Sequence, residues 1–244
     1  MRGIAIVTYN RANQLGDQIE AVIRTAPSDA RIVVCDDGSN DDTPLVATRY
    51  PVLYLRGSNL GVGANKNRAL YALRDASFFA ILEDDLFPTE AGWFELYEEA
   101  AIVSGLHHFC RVQDKEIPEA VQAFAVSMVK RGFTPIYGSS PRGDLTFATG
   151  EVIRKVGGFN PAFRGAGFAH GEWSSRVDRA GLIPHPAKWV DIKEARDKFA
   201  QRGDTEGGRW NLLRPVLKEQ LKSNKRVLKA LNKRPYTYHP LVLS

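Results

Sequence analysis

The first half of the chain alternates two kinds of segment. Short apolar runs of a length typical of buried strands are followed by segments whose apolar residues recur at helical spacing. The first run, residues 3–9, precedes a helical pattern over residues 12–26, and glycine-led residues 61–76 form another helical pattern. The remaining apolar runs are RIVVCD (31–36), PVLYL (51–55) and FFAIL (78–82).

This alternation predicts an α/β fold with a mostly parallel central sheet flanked by helices. We expect one main domain over residues 1–195, with a nucleotide-binding half over 1–100 and a second half over 101–195. Residues 196–244 are predicted to form a basic, helical C-terminal extension. In such sheets, ligands bind beyond the carboxyl ends of the strands.

The second half of the chain has a less regular pattern. Residues 116–131 are predicted to be helical, and residues 134–144 to form a long polar loop before a short strand at 145–149. A glycine-rich stretch over 157–173 then leads into a helix that ends at Gly181.

Polar and acidic segments follow three of the predicted strands directly. They are TYNR (8–11), DDGSND (36–41) and EDD (83–85). Three adjacent carboxylates repel one another and resist burial unless something positive sits beside them. A solvated loop is one explanation for EDD. The other is a single crevice that all three segments face, because parallel strands deliver their carboxyl ends to one edge.

Composition excludes several classes of protein. No stretch approaches the roughly 18 apolar residues of a membrane span, and the first apolar run is too short for a signal peptide. Cys35 and Cys110 are the two cysteines, and the sequence indicates neither a disulfide framework nor a zinc site. These features predict a cytoplasmic protein.

The motifs narrow the chemistry of the crevice. The dinucleotide fingerprint requires glycines after the first strand, but VTYNRANQ (7–14) contains none, and the P-loop motif is absent. Acids that face a diphosphate need a metal ion between them. Mg²⁺ and Mn²⁺ suit this position because they accept carboxylate, phosphate and water oxygens together.

An ordered set of motifs resembles the family 2 glycosyltransferases of the GT-A fold. The resemblance covers roughly residues 3–190, and its specificity comes from the order and spacing of the set. Its elements are VTYNR, VVCDDGSNDDT, NLGVGANKNRAL, FFAILEDDLFP and TGEVIRKVGGFNPAFRG, of which the last resembles the segment that leads into the acceptor site.

The resemblance implies roles for residues on the nucleotide side. The backbone around Thr8 and Tyr9 would line the base, and Asp37 would bind the uracil or the ribose. Lys66 lies where the family often contacts the donor. An exposed helix lysine is the alternative for Lys66.

The resemblance also places EDD at the family's DXD position, with a glutamate in place of the first aspartate. Asp85 then matches the direct ligand of Mn²⁺ or Mg²⁺, and Glu83 would contact the ribose or a metal-bound water. Asp84 is assigned to the same nucleotide site. His185 would complete the metal site, with a plain loop histidine as the alternative.

The catalytic base is less clearly marked. Many members carry a Glu-Asp pair before the helix that ends in Arg-x-x-x-Ala-Gly, but here those positions hold Ala169 and His170. His170 and Glu172 are therefore both candidates to take the acceptor proton, and Glu172 is preferred. The alternatives are a satisfied loop histidine and a first-turn acid favoured by the helix dipole. Trp173 and Trp189 could stack on sugars, although buried tryptophans usually belong to the core.

The C-terminal stretch is basic. Residues 212–234 carry eight Lys or Arg against one Glu, with leucines at rough helical spacing. A helix packed on the main domain and a helix on an anionic membrane surface both remain open, and a nucleic-acid contact is the third option. No aromatic platform accompanies the charges, so nucleic-acid binding is not expected.

The sequence thus predicts an inverting, metal-dependent transferase. Its partners would be a nucleotide-diphosphate sugar, most simply a UDP-sugar, and a hydroxyl of a glycan or another acceptor. Two rival functions remain. One is a sugar-phosphate nucleotidylyltransferase, which would require a glycine-rich, basic loop after the first strand that this sequence lacks. The other is a catalytically silent nucleotide-sugar-binding module.

Overall fold

A computed structural model describes residues 1–165, 167–183, 189–202, 208–231 and residue 239. For residues 208–217 it describes the backbone alone. The predicted alternation in the first half is confirmed. Its elements are β1 (Arg2–Thr8), α1 (Ala12–Thr25), β2 (Ala30–Asp36), α2 (Thr43–Ala47), β3 (Leu53–Arg56), α3 (Val62–Ala72) and β4 (Phe78–Glu83).

The second half adds shorter elements and one long strand. A turn of 3-10 helix at Glu119–Val121 precedes α5. The elements are β5 (Leu86–Pro88), α4 (Trp93–Ser104), β6 (His108–Lys115), α5 (Gln122–Val129), β7 (Pro135–Thr149), α6 (Gly150–Val156), α7 (Ala169–Arg179), β8 (Val190–Ile192), α8 (Lys193–Arg196), β9 (Phe199–Gln201) and α9 (Gly208–Leu231).

Two predictions in this half were wrong. The helix predicted over 116–131 is confined to α5, because Pro118 starts the 3-10 turn instead. The polar loop predicted over 134–144 is part of β7. Its glycine, serine and proline residues disfavour a strand locally, but pairing with β6 and β8 overrides that preference. The pairing with β6 contains register shifts, as expected for irregular residues in a ladder.

The seven-stranded sheet has the order β3-β2-β1-β4-β7-β6, and β8 pairs with β7. β1 pairs in parallel with β2 and β4, and β2 in parallel with β3. Only β7 is reversed, because it pairs antiparallel with β4, β6 and β8. The predicted mostly parallel sheet is therefore confirmed, and both predicted halves of the main domain contribute strands to it.

The core lies between the sheet and its helices. α1 turns Leu15, Ile19 and Val22, all at 0% exposure, toward the sheet. On β7, Phe147 packs against the rings of Phe94 and Tyr97 from α4, with both centroid distances at 5.1 Å. Contacts of this kind hold the reversed strand against the parallel part of the sheet.

The basic C-terminal helix packs against the main domain. Val227, Leu228 and Leu231 of α9 contact the core cluster. Asn224 is 1% exposed and clamps the segment before α7. Its Nδ2 donates to the carbonyls of Arg164 at 2.9 Å and Gly167 at 3.2 Å, while its Oδ1 accepts from the Arg164 N–H at 3.3 Å. None of the described helices is long and apolar enough to span a membrane.

Replacing Asn224 tests whether α9 is an integral part of the domain. Asn224→Ala removes three partly buried hydrogen bonds to backbone groups of Arg164 and Gly167, each of which contributes about 0.5–1.5 kcal/mol. We expect a lower midpoint in urea denaturation followed by circular dichroism. Lys225→Ala, at the exposed neighbouring position, is the matched control and should leave the midpoint unchanged. Equal midpoints for the two variants would contradict the clamp.

Candidate functional site

The three polar segments that follow β1, β2 and β4 meet at one edge of the sheet. In the strand register, Thr8 at the end of β1 lies opposite Asp36 of β2, and Val7 lies opposite Glu83 of β4. The residues that come next along each strand therefore lie close together, with the Tyr9 N–H donating to Asp84 and the Asn10 N–H to Ser39. The three segments share one edge of the sheet, as the sequence predicts, and we call the space that they border the crevice.

Side chains cross-link two of these segments. The backbone N–H of Asn10 donates to Ser39 Oγ at 2.8 Å, and the N–H of Asn40 donates to Asn10 Oδ1 at 2.8 Å. A third bond joins the N–H of Arg11 to Thr43 Oγ1 at 2.9 Å. These hydrogen bonds fix the loops after β1 and β2 to each other. We call the two loops, residues 9–11 and 37–43, the rim of the crevice.

Asp37 anchors a third loop to the rim. Its Oδ1 accepts from the Leu60 N–H at 3.1 Å and its Oδ2 from the Gly61 N–H at 2.7 Å. Burial raises the pKa of this carboxyl, while the two backbone donors act in the opposite direction. Gly38 follows with φ +80°, and a Cβ there would lie 2.9 Å from the Gly57 carbonyl oxygen, so only glycine suits this turn.

Lys66 and Glu83 form a pair on the floor of the crevice. Lys66 Nζ lies 2.8 Å from Glu83 Oε1, 2.6 Å from the Gly143 carbonyl oxygen and 5.9 Å from the centre of the Phe159 ring. The lysine side chain is 3% exposed and that of Glu83 33%. An exposed helix lysine is thus excluded, and Lys66 supplies the positive charge that the acid cluster requires.

Asp84 turns back toward the loop after β1. Its Oδ2 accepts from the Tyr9 N–H at 3.3 Å, and its Oδ1 lies 3.3 Å from Arg11 Nε. Burial raises the pKa of Asp84 to about 6, against the opposing effect of Arg11. Asp84 therefore fixes the backbone that was predicted to line a base.

Asp85 differs from its two neighbours because one of its oxygens is unused. Its Oδ2 accepts from Gln201 Nε2 at 3.2 Å. Its Oδ1 is buried and has no hydrogen-bond partner among the described residues. Burial raises the pKa of this carboxyl. A buried, unsatisfied carboxylate oxygen at a crevice is costly on its own and would gain from a bound cation. The solvated-loop explanation of the three acids is wrong.

Glu172 lies in the first turn of α7 and is bound by an arginine one turn later. Glu172 Oε1 is 2.7 Å from Arg176 Nε, and Oε2 is 3.0 Å from Arg176 Nη2. Arg176 also donates to the carbonyls of Val156 and Gly158 and is almost fully buried. The carboxylate is thus held in one orientation by a bidentate contact.

His170 occupies the sheet-facing side of α7. Its Nδ1 lies 3.3 Å from Thr146 Oγ1 on β7. Its Nε2 is buried and has no partner among the described residues. Burial, with the nearby charge of Lys66 and the proximity of His108, lowers the pKa of His170 well below its usual value, so the ring is neutral. It is therefore not a satisfied loop histidine.

The remaining candidates are two tryptophans and one histidine that lies outside the described residues. Trp173 is 0% exposed, donates to the Gly157 carbonyl at 3.0 Å and stacks on Phe159 at 5.0 Å, as a core residue would. Trp189 is half-buried. His185 lies outside the described residues, so its predicted role as a metal ligand stays a prediction.

Sequence reasoning missed several residues at the site. Gly143 faces the crevice closely, since a Cβ there would lie 3.0 Å from Glu83 Oε1. Gln201 reaches Asp85 because β9 pairs with β5 directly after the acid cluster. Neither residue belongs to a local motif. Only the pairing of strands distant in sequence brings them to the crevice.

Comparison with known families identifies the first half of the chain. The profile of the family described as Glycosyl transferase family 2 matches residues 3–122. This match includes the whole rim and the acid cluster. Over these residues the chain is similar to glycosyl transferase family 2.

Curated relatives match over a shorter stretch. An uncharacterized glycosyltransferase of Rickettsia prowazekii is 29% identical over 86 residues, which is 34% of this chain and 27% of the relative. A protein of the same description from Rickettsia typhi matches equally. The match thus spans about a quarter of the length of these relatives.

Solved structures confirm the GT-A fold. A glucosyl-3-phosphoglycerate synthase from Mycobacterium tuberculosis, crystallised with Mn²⁺, UDP and glucosyl-3-phosphoglycerate, superposes with a TM-score of 0.54 at 15% identity, covering 83% of this chain and 72% of that one. A mannosyltransferase from Pyrobaculum calidifontis, with GDP-Man and Mn²⁺, gives 0.52 at 16% identity, covering 78% and 55%. At these identities the likeness concerns the fold.

The anchoring role of Asp37 leads to a stability prediction. Asp37→Ala removes the acceptors of the Leu60 and Gly61 N–H groups, so the free energy of unfolding should fall by about 1–3 kcal/mol. Asp37→Asn, which keeps a side-chain oxygen acceptor, should lose less. Asp42→Ala, at an exposed position of the same loop, is the control for urea denaturation. A wild-type midpoint for Asp37→Ala would show that the loop does not depend on these bonds.

Proposed function

We propose that the protein is a metal-dependent, inverting glycosyltransferase that uses a nucleotide-diphosphate sugar, most simply a UDP-sugar. The acceptor would be a hydroxyl of a glycan or of another small molecule. The observation that carries the proposal is the unused, buried oxygen of Asp85 at the edge where β1, β2 and β4 end. The match of residues 3–122 to glycosyl transferase family 2 and the hydrogen-bonded rim support it.

The acid cluster fits a divalent cation. Asp85 Oδ1 would be the protein ligand, and Glu83 would contact a metal-bound water or the ribose. Oxygen ligands of this kind suit Mn²⁺ or Mg²⁺, which bind diphosphate through one or two carboxylates. When bound, such an ion neutralises the charge that develops on the departing diphosphate.

The nucleotide would lie against the rim. The backbone of Thr8 and Tyr9 would line the base, and Asp84 would hold that backbone through the Tyr9 N–H. Asp37 would accept from the uracil or the ribose. Each of its oxygens receives one backbone hydrogen bond and keeps a second lone pair. Lys66, beside Glu83, would hold the donor side of the crevice positive.

α7 would supply the base that takes the proton from the acceptor hydroxyl. We assign this role to Glu172, with His170 as the competing candidate. The pairing with Arg176 orients Glu172 and occupies one lone pair on each oxygen, so lone pairs remain for a proton. Attack of the acceptor oxygen on the anomeric carbon would break the bond to the diphosphate in the same step, and the configuration would invert.

The bidentate grip of Arg176 on Glu172 also favours the rival function, a catalytically silent nucleotide-sugar-binding module. A carboxylate that serves only to fix α7 would leave the crevice able to bind but not to transfer. Hydrolysis of UDP-sugars in the presence of Mn²⁺ separates the two functions. Turnover above a heat-treated control supports the transferase, whereas UDP binding without turnover supports the silent module.

Metal dependence of nucleotide binding tests the role of Asp85. UDP affinity, measured by calorimetry, should be far higher with Mn²⁺ than with EDTA. Asp85→Ala should weaken Mn²⁺-dependent binding by roughly 10- to 100-fold, because a hydrogen bond or contact to a charged group contributes about 1.5–3 kcal/mol. Asp75→Ala, at an exposed acid outside the crevice, is the control. Undiminished UDP affinity in EDTA would refute the proposed metal site.

Two substitutions on α7 identify the base. Glu172→Gln keeps the size of the side chain but cannot accept the proton, so turnover should fall roughly 10²–10⁴-fold while UDP affinity survives. kcat and kcat/KM should fall together. His170→Ala is the comparison, and Arg176→Met shows how much of any loss comes from breaking the ion pair. A larger loss in His170→Ala than in Glu172→Gln would move the role to the histidine.

A further inference from the structure

Behind the crevice, three side chains able to bind a soft metal converge in the core. His108 and Cys110 lie on β6, and His170 lies on α7. A ring nitrogen of each histidine and the Cys110 Sγ all lie within 4.8 Å of one another. The three residues are buried, at 2%, 0% and 8% exposure. We propose that His108, Cys110 and His170 form a binding site for zinc or a similar thiophilic divalent cation.

The hydrogen bonds of His108 assign the ring proton to Nδ1 and leave Nε2 as the nitrogen with the lone pair. Its Nδ1 lies 3.0 Å from the Phe147 carbonyl oxygen, which can only accept, so Nδ1 carries the ring proton. The Nε2 lone pair then faces Ser174 Oγ at 2.9 Å. Metal-binding histidines commonly donate their second nitrogen to a backbone carbonyl in this way.

His170, on α7, can present its Nε2 lone pair to the same point. If Nδ1 donates to Thr146 Oγ1, the Nε2 lone pair is the atom left without a partner among the described residues. An unsatisfied buried nitrogen costs free energy unless something binds it. A cation between the two rings and the sulfur would satisfy it.

The sheet brings the ligands together, so the sequence did not reveal them. Cys110 pairs with Thr146 across β6 and β7, and His108 pairs with Ala148, so these four residues share one face of the sheet. α7 packs on that face and supplies His170. Cysteine spacing alone indicated no zinc site, because the histidine of α7 is about sixty residues from Cys110 in the sequence.

The Cys110 thiolate would neutralise part of the charge of the metal. Zinc with one thiolate retains one positive charge, which burial opposes. On binding, the thiol proton leaves to solvent and sulfur bonds the metal.

The three ligand atoms lie farther apart than they would around a bound zinc ion. Zinc binds nitrogen at about 2.0–2.1 Å and sulfur at about 2.3 Å, so the ligands must approach one another by roughly 1 Å. Rotation of the side chains can supply this movement, and the Ser174 hydroxyl or a water would fill the fourth position. Bound metal would fix α7 to the sheet. It would also occupy His170 Nε2, which leaves Glu172 as the base.

Cobalt is the reporter for this site. We expect full-length protein loaded with Co²⁺ to show a thiolate-to-cobalt charge-transfer band in the near ultraviolet, and protein purified without chelator to carry about one zinc per chain, as expected for one site with this ligand set. Cys110→Ala should abolish the band. Cys35→Ala, at the other fully buried cysteine, is the matched control and should retain it.

Two more variants separate this site from the proposed nucleotide metal. Thr146→Val removes the acceptor that orients His170 and should weaken zinc binding by roughly 10- to 100-fold. Asp85→Ala should leave the band intact, whatever it does to UDP binding. Circular dichroism confirms that each variant is folded. The proposal is overturned if folded wild-type protein shows no thiolate band, or if the band survives in Cys110→Ala.

Discussion

The position of β1 between two parallel neighbours determines where this protein can bind a ligand. β2 and β4 both pair with β1 in parallel, so three strands deliver their carboxyl ends to one edge. The rim is then closed by side chains of the loops themselves, such as Ser39 accepting from the N–H of Asn10. A register shift of one residue in β4 would turn the side chains of Glu83, Asp84 and Asp85 to the opposite directions. The acid cluster would then no longer face the loops after β1 and β2 in its present arrangement.

The acid cluster is tolerable because each of its carboxylates meets a different compensating group. Glu83 pairs with buried Lys66 from α3, and Asp84 contacts Arg11 and the backbone after β1. Asp85 has only a neutral donor, Gln201, and retains a buried oxygen without a partner among the described residues. The three acids are thus unequal. The least compensated one is the one best suited to a cation.

The sequence predicted the parallel half of the sheet and the crevice well, because both follow from local periodicity and from the order of strand ends. It predicted less of the second half. β7 contains Gly138 and Pro141, which locally favour a loop, yet its pairing with β6 makes it a strand. Gly143, Gln201 and the partners of His170 reach their places only through such long-range pairing, which no local motif encodes. The ion pair of Arg176 with Glu172 was not predicted, although its i,i+4 spacing is a local pattern that could have indicated it.

Two glycines show how the halves of the site depend on each other. A Cβ on Gly61, at the start of α3, would lie 2.6 Å from the Gly165 nitrogen, so the loop before α7 rests directly on the loop that Asp37 anchors. Asn224 of α9 holds that same loop from the other side. The proposed base on α7 and the proposed nucleotide rim are therefore coupled through backbone contact, with the C-terminal helix as the outer support. A side chain at Gly61 would meet the backbone of the other loop, whereas one at Gly165 would meet the Gln220 side chain of α9. The contact between the two loops is therefore set by backbone packing on the Gly61 side.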